Sequence, residues 1–296
     1  MKSSRMSEKT KTARLSIFSN SLLILIKLVT GIISGSISII SEAIHSFMDL
    51  LAAIIAFFSV RISDTPADER HPYGHGKFEN ISGVIEALLI FIAAIWIIYE
   101  AILKFFHPRI IDTIEIGILV MIVSAIVNFF VSRRLYKVAK ETESIALEAD
   151  AIHLKMDVYT SAGVATGLLL MWVGSFFIHS KLLYYLDPLI AVLVAILILK
   201  ESYLLFTKAY SPLLDVSLSQ EEIGSIRSLI DKYCSSNISY HGLRTRKAGN
   251  FKYIDFHLNL SADMHVREAH DLCDTIENDI KRAFKNSEVT IHVENF

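Results

Sequence analysis

Two segments of this 296-residue chain place a histidine four positions before an aspartate: His45-Ser46-Phe47-Met48-Asp49 and His153-Leu154-Lys155-Met156-Asp157. On an α-helix, positions i and i+4 share a face, with Cβ atoms about 5–6 Å apart. Two such helices facing each other present two imidazoles and two carboxylates to one point. Tetrahedral Zn²⁺ takes such a set of four N and O ligands, at about 2.0–2.2 Å. Both segments lie in apolar runs, where an aspartate near a helix centre costs about 2.5–3.5 kcal/mol on an insertion scale. A helix-end position, hydrogen-bonded or wetted by a loop, would account for either pair alone. The same spacing on two apolar helices argues for a shared ion.

Two further groups offer ligands. Asp68, His71 and His75 stand in Asp68-Glu69-Arg70-His71-Pro72-Tyr73-Gly74-His75-Gly76, where a proline and two glycines bend the chain. The spacing alone fits either a metal loop or a polar loop with solvated histidines. His241, His257, His270 and His292, with Asp255 and Glu294 near them, lie in the last third of the chain. Histidines gathered on one sheet face bind metal, but surface histidines are also common. Asn20, Glu42, Glu86 and Asn128 are further polar residues in apolar runs. Glu42 lies three positions before His45, on its face, and Glu86 reads as a helix-end residue.

Long apolar helices must position these groups. Hydrophobic residues make up 52% of the chain and the mean hydropathy is +0.45. That excess is concentrated before about Ala209. A segment of roughly 20 apolar residues spans a hydrocarbon core about 30 Å thick. Six segments qualify, near 14–36, 38–61, 81–105, 113–135, 147–177 and 183–206. The third and sixth are the cleanest. The other four carry polar residues on one stripe and are expected to face each other or water. Ser34 and Gly35 mark a tight turn between the first two. Lys2, Arg5, Lys9, Lys11 and Arg14 precede the first segment, and Lys/Arg clusters follow the second and fourth, whereas the opposite loops hold few. By the positive-inside rule both termini are expected in the cytosol. The first apolar segment lacks a small-residue cleavage site and reads as a retained helix.

The composition shifts near Ser211–Pro212. The expected division is a cytosolic tail over 1–13, a membrane domain over 14–211 and a soluble domain over 212–296. The last part reads as helix, hairpin, helix and strand. Its hairpin turns at Gly249-Asn250, and its second strand alternates between Ile254, Phe256, Leu258 and Leu260 on one face and Tyr253, Asp255, His257 and Asn259 on the other. Cys234 and Cys273 form no close-spaced motif, which excludes a CxxC zinc site and gives no sign of a disulfide framework. A net charge of -2 implies no nucleic-acid partner.

The paired His45/Asp49 and His153/Asp157, the loop PADERHPYGHGK and the C-terminal GLRTRKAGNFKYIDFHLNL together resemble the cation diffusion facilitator family of metal/proton antiporters, from about Arg14 onward. The resemblance implies a membrane all-α fold of six transmembrane helices, followed by a small cytosolic α+β domain of αββαβ order that is metallochaperone-like. It implies a homodimer, multi-pass in the inner (plasma) membrane, and no enzyme activity. It assigns His45, Asp49, His153 and Asp157 to a transport site, and Asp68, His71 and His75 to a loop site. His241, His257 and His292 match a binuclear cytosolic zinc site, with His270 as a further ligand and Glu294 standing where the family has its last Asp ligand. Lys77 and Asp215 match a charged pair holding the transmembrane bundles together at the dimer interface. The expected activity is proton-coupled efflux of a divalent cation, Zn²⁺ first, with Fe²⁺, Co²⁺, Cd²⁺ or Mn²⁺ as alternative cargo. A non-transporting, metal-sensing membrane subunit is the rival.

Overall fold

The computed structural model describes residues 2–34, 37–106, 114–177 and 186–295. Gly35, Arg109 and Lys181 fall outside the described residues, as do the side chains of Glu42, His45 and Lys104. Among the described residues are six long helices: α1 (Lys2–Ser34), α2 (Ile37–Ser63), α3 (Lys77–Phe106), α4 (Ile114–Thr142), α5 (Ile145–Phe177) and α6 (Leu186–Tyr210). Stretches in α1, α3 and α6 (Glu8–Thr30, Lys77–Leu103, Pro188–Leu214) are long and apolar enough to cross a membrane by length and composition alone. In α2, α4 and α5 charged or polar residues interrupt the apolar run. α1 begins at Lys2, so the basic segment before Arg14 continues the first helix. Large apolar side chains such as Phe18, Ile92 and Trp96 point outward, as lipid contact requires.

α3 packs on α6, while α1 packs on α2 and α4, and α5 packs on α4 and α6. Polar groups tie one end of this bundle. Lys9 of α1, 3% exposed, donates to Glu79 of α3 at 2.6 Å and to Asp64 just beyond α2 at 3.2 Å. Glu79, 1% exposed, also accepts from Ser63 at 2.8 Å and Ser144 at 2.6 Å. One carboxylate thus joins α1, the end of α2, α3 and the α4–α5 junction.

A short 3₁₀ turn at Ser211–Leu214 leads into α7 (Gln220–Ile230), β1 (Ile238–Ala248), β2 (Phe251–Leu260), α8 (Val266–Ala283) and β3 (Ser287–Asn295). Ser219 and Glu222 form a reciprocal capping box at the start of α7, worth about 1 kcal/mol. The sheet runs β1-β2-β3, antiparallel then parallel. Ile254, Phe256, Leu258 and Leu260, all on one face of β2, are buried with Ile226 and Ile230 of α7 and Ile276 and Ile280 of α8. The domain therefore has a hydrophobic core of its own.

This domain meets the polar end of the bundle. The Gly249 N–H donates to Asn80 Oδ1 of α3 at 2.8 Å, and Asn80 Nδ2 donates to Ala209 O of α6 at 3.3 Å. Gly249 has φ +59, and a Cβ there would lie 2.6 Å from Gly76 O, so both its conformation and its contact demand glycine. Arg246 lies against the rings of both Tyr73 and Tyr253, at 4.7 and 4.2 Å from their centres. Lys77 Nζ lies 2.9 Å from Asp215 Oδ1. These groups carry the α2–α3 loop, the end of α6 and the β1–β2 turn as one junction.

Breaking a buried ion pair by removing one partner costs about 3–5 kcal/mol, because the other charge is left uncompensated. Lys9→Met is accordingly expected to lower the thermal midpoint of the detergent-solubilised protein, and Lys9→Met combined with Glu79→Gln to cost less than the two separate losses added. Strictly additive losses would show that the pair does not tie the helices together.

Candidate metal centres

Among the described residues, three groups of carboxylates and histidines bring ligand atoms within 4.8 Å of one another: Asp49, His153 and Asp157; Asp68, His71 and His75; and His241, His257 and Glu294. Each lies on a different kind of scaffold.

The first lies between α2 and α5. Asp49 on α2 and His153 on α5 meet with Oδ1 and Nε2 3.1 Å apart, their side chains 8% and 12% exposed. Asp157, one turn along α5 from His153, accepts from Asn128 Nδ2 of α4 at 3.5 Å. Among the described residues His153 Nδ1 is buried without a hydrogen-bond partner. His45 stands one turn before Asp49 on α2, with its side chain outside the described residues. The three described residues offer one nitrogen and two carboxylates, hard and borderline donors that suit a small divalent ion.

Asp150 and Lys27 near this centre were not marked by residue spacing, and Glu86 was read as a helix-end residue. Asp150 of α5 and Glu86 of α3 are 0% exposed, and among the described residues none of their four carboxylate oxygens makes a close hydrogen bond, although the Ser16 hydroxyl stands near Asp150 and the Ser82 hydroxyl near Glu86. Glu86 therefore sits well inside α3, not at a helix end. Lys27 of α1, 5% exposed, donates to Ser46 Oγ of α2 at 2.6 Å, next in sequence to His45. Lysine in the middle of an apolar run was the available signal for Lys27. Asp150 had the signal of a second acid one turn before His153.

The loop group is built by backbone geometry. Asp68 Oδ1 accepts from the His71 N–H at 2.7 Å and the Arg70 N–H at 2.9 Å. These bonds, the His71 N–H foremost, hold the Asp68 carboxyl below the usual carboxylate range. Gly74, with φ +78, turns the chain so that the His71 and His75 rings lie 4.4 Å apart. Both imidazoles come within 3.4 Å of Asp68.

The third group is a face of the sheet. Register pairs His241 with His257 and His257 with His292, so side chains of three strands line up on the side away from α7 and α8. His257 Nδ1 lies 2.7 Å from Glu294 Oε1, His241 Nε2 3.6 Å from Glu294 Oε2, and His292 Nε2 3.7 Å from Glu294 Oε1. The bond to His257, then the charges of all three imidazoles, hold the Glu294 carboxyl below its ordinary range. His270 is not among them. It lies on α8 beside Asp274, 3.6 Å away, with its side chain 73% exposed. The donor set of imidazoles and one carboxylate fits Zn²⁺ chemistry.

Residues 13–214 match the cation efflux transmembrane domain, and residues 218–296 match the cytoplasmic domain of cation efflux proteins. An uncharacterized transporter of Synechocystis (sll1263) is 36% identical over 91% of this chain and 84% of its own length. The cation-efflux pump FieF of Shewanella oneidensis is 32% identical over 91% and 88%. The manganese efflux system protein MneP of Bacillus subtilis is 31% identical over 99% and 98%. The chain belongs to the cation diffusion facilitator family, and is a multi-pass membrane transporter, not an enzyme, that carries divalent metal cations out and has a cytoplasmic domain.

Proposed function

We propose that this protein exports Zn²⁺ from the cytosol in exchange for protons, with His45, Asp49, His153 and Asp157 as the transport ligands. The observation that carries this reading is the buried convergence of Asp49, His153 and Asp157 between α2 and α5. Two carboxylates and imidazole nitrogen favour a small tetrahedral ion over Mn²⁺, which prefers oxygen donors. The manganese exporter MneP keeps Mn²⁺ as the principal alternative cargo.

Proton exchange follows from the ligands. Carboxylate and imidazole bind metal deprotonated, so protons and metal compete for the same atoms. Protons from the outer side displace the ion, and the deprotonated centre reloads from the cytosol. Asp150 and Glu86, buried with no close hydrogen bond among the described residues, are too costly to leave as bare carboxylates, and in this reading lie on the path by which protons travel.

In this reading α1–α6 are six membrane passes, with the soluble domain beginning near residue 212. Lys9 and the α4–α5 junction meet at Glu79 near the start of α3, and the C-terminal domain touches both the α4–α5 junction and the α2–α3 loop, so these segments share one end of the bundle, as six alternating passes require. That end carries the Lys/Arg-rich loops, which puts both termini on the cytosolic side of the inner (plasma) membrane. Asp68, His71 and His75 collect metal there. His241, His257, His292 and Glu294 hold Zn²⁺ in the cytosolic domain, and domain pairing in a homodimer completes the shell. His270 joins only if α8 or the partner brings it in.

In proteoliposomes bearing a pH gradient, Asp49→Ala or Asp157→Ala is expected to cut zinc uptake by at least about 100-fold, beyond what outer-shell changes cost, in protein that still folds and dimerises. Near-normal uptake by either variant sinks the assignment.

His45→Asp replaces a nitrogen by a harder oxygen and shortens the side chain. Competitive uptake is expected to show Zn²⁺ still carried, with Cd²⁺ and Mn²⁺ rejected less. An unchanged Zn²⁺/Cd²⁺ ratio would place the filter elsewhere.

The fragment 212–296, which contains its own core, is expected to dimerise more tightly with zinc. His257→Ala should weaken that dependence by about 10–100-fold. Equal association with and without zinc, measured by sedimentation, removes the metal from dimer control.

A further inference from the structure

A groove of about 550 Å³ runs along α5 between α4 and α6. Its floor on α5 includes Ala151, Ile152 and Lys155. Lys155 is two positions from both His153 and Asp157, roughly 160° around the helix from each at 3.6 residues per turn. The groove is therefore on the opposite side of α5 from the metal centre and opens outward between the helices.

Its chemistry is divided. Phe129 of α4, Tyr159 of α5 and Leu204 of α6 form exposed apolar walls. Against them stand three cations: Arg133 of α4, Lys155 of α5 and Lys208 of α6. Lys208 is committed, with both oxygens of Glu148 at 2.7 Å. Arg133 and Lys155 are exposed and, among the described residues, make no ion pair; the Lys155 ammonium lies 5.4 Å from the centre of the Tyr159 ring. One more carboxylate, Glu201 of α6, lines the groove. Two cations against one carboxylate leave one positive charge over.

Lys155 lies about 15 Å along α5 from its start at Ile145, at 1.5 Å per residue. A bilayer core is about 30 Å thick, so an ammonium on that outward face must either reach up to the interface or meet an anion. Arg133 offers a planar guanidinium suited to phosphate. The surrounding walls suit hydrocarbon.

We propose that the groove seats one anionic phospholipid, its phosphodiester between Arg133 and Lys155 and an acyl chain along α5 against Phe129 and Leu204. The single excess positive charge matches a single phosphodiester. The site rests on α4, α5 and α6 lying in the bilayer, and is independent of which metal is carried.

The test uses the full-length protein in non-ionic detergent, equilibrated with equal amounts of phosphatidylglycerol and phosphatidylcholine, with retained lipid counted by native mass spectrometry. Wild type is expected to retain phosphatidylglycerol in preference. Arg133→Gln with Lys155→Gln should lose that preference by about tenfold, since each basic residue near anionic lipid contributes comparably. Arg133→Lys with Lys155→Arg should keep it. Equal retention of both lipids by wild type overturns the proposal without any variant. An unchanged preference in the Gln variant also overturns it. So does loss of the dimer with lipid retention unchanged, because the groove would then be an interface between two copies of this chain. Zinc transport by the same preparations separates a failed lipid site from a failed transport reading.

Discussion

The buried carboxylate of Glu79 is the constraint on which the arrangement of the helices depends. A charge with 1% exposure is tolerable only if its lone pairs are filled. Glu79 fills them from Lys9, Ser63 and Ser144, and these donors come from three different segments. Sliding any one of them by a turn would strand the charge. The bundle's end is fixed in this way, and with it the rotation of α2 and α5 that brings Asp49 to 3.1 Å from His153.

The satisfied and unsatisfied polar groups divide the bundle in two. Around Glu79 every charge has its partners, which is the pattern of a structural lock. Deeper in, both oxygens of Glu86 and of Asp150 and Nδ1 of His153 are, among the described residues, buried without a close hydrogen bond. Burying such groups is expensive unless a partner, proton or cation offsets the charge. The dense network around Glu79 ties the bundle near the cytoplasmic domain, and the described residues show no comparable network around Glu86 and Asp150.

What the sequence made legible follows from the range of the interactions. Local spacing sets which residues share a helix face, so Asp49 and His153 with Asp157 were visible as one constellation. The bend of the loop was visible in Pro72 and Gly74, and the strand alternation of Ile254 to Leu260 gave the buried face. Other features depend on pairing between distant segments. Lys9 meets Glu79 across 70 positions, and no periodicity within α1 announces that partner. Glu86 read as a helix-end acid because an apolar run has no sharp boundary, whereas α3 starts at Lys77 and places it nine residues in. Histidine count could not separate His270 from the others. Its place on α8, rather than on a strand, does so.

The cytoplasmic domain is joined to the loop of Asp68, His71 and His75 by groups that leave little slack. Tyr253 of β2 donates to the Tyr73 carbonyl at 2.5 Å, and Tyr73 sits between His71 and His75. Arg246 lies against both tyrosine rings and reaches Asp215 at 3.7 Å. Tyr253 and His257 are on the same strand, two pleats apart, and His257 touches Glu294. A change in how β2 and β3 are held at Glu294 is therefore transmitted along a stiff strand to the backbone between the two loop histidines. Coupling of this kind requires an element with two arrangements that both sites bias. The β1–β2 hairpin, held to the bundle through Asn80, the close Gly76–Gly249 approach, Tyr73 and the Lys247–Glu143 pair, is the segment through which any such coupling would have to pass.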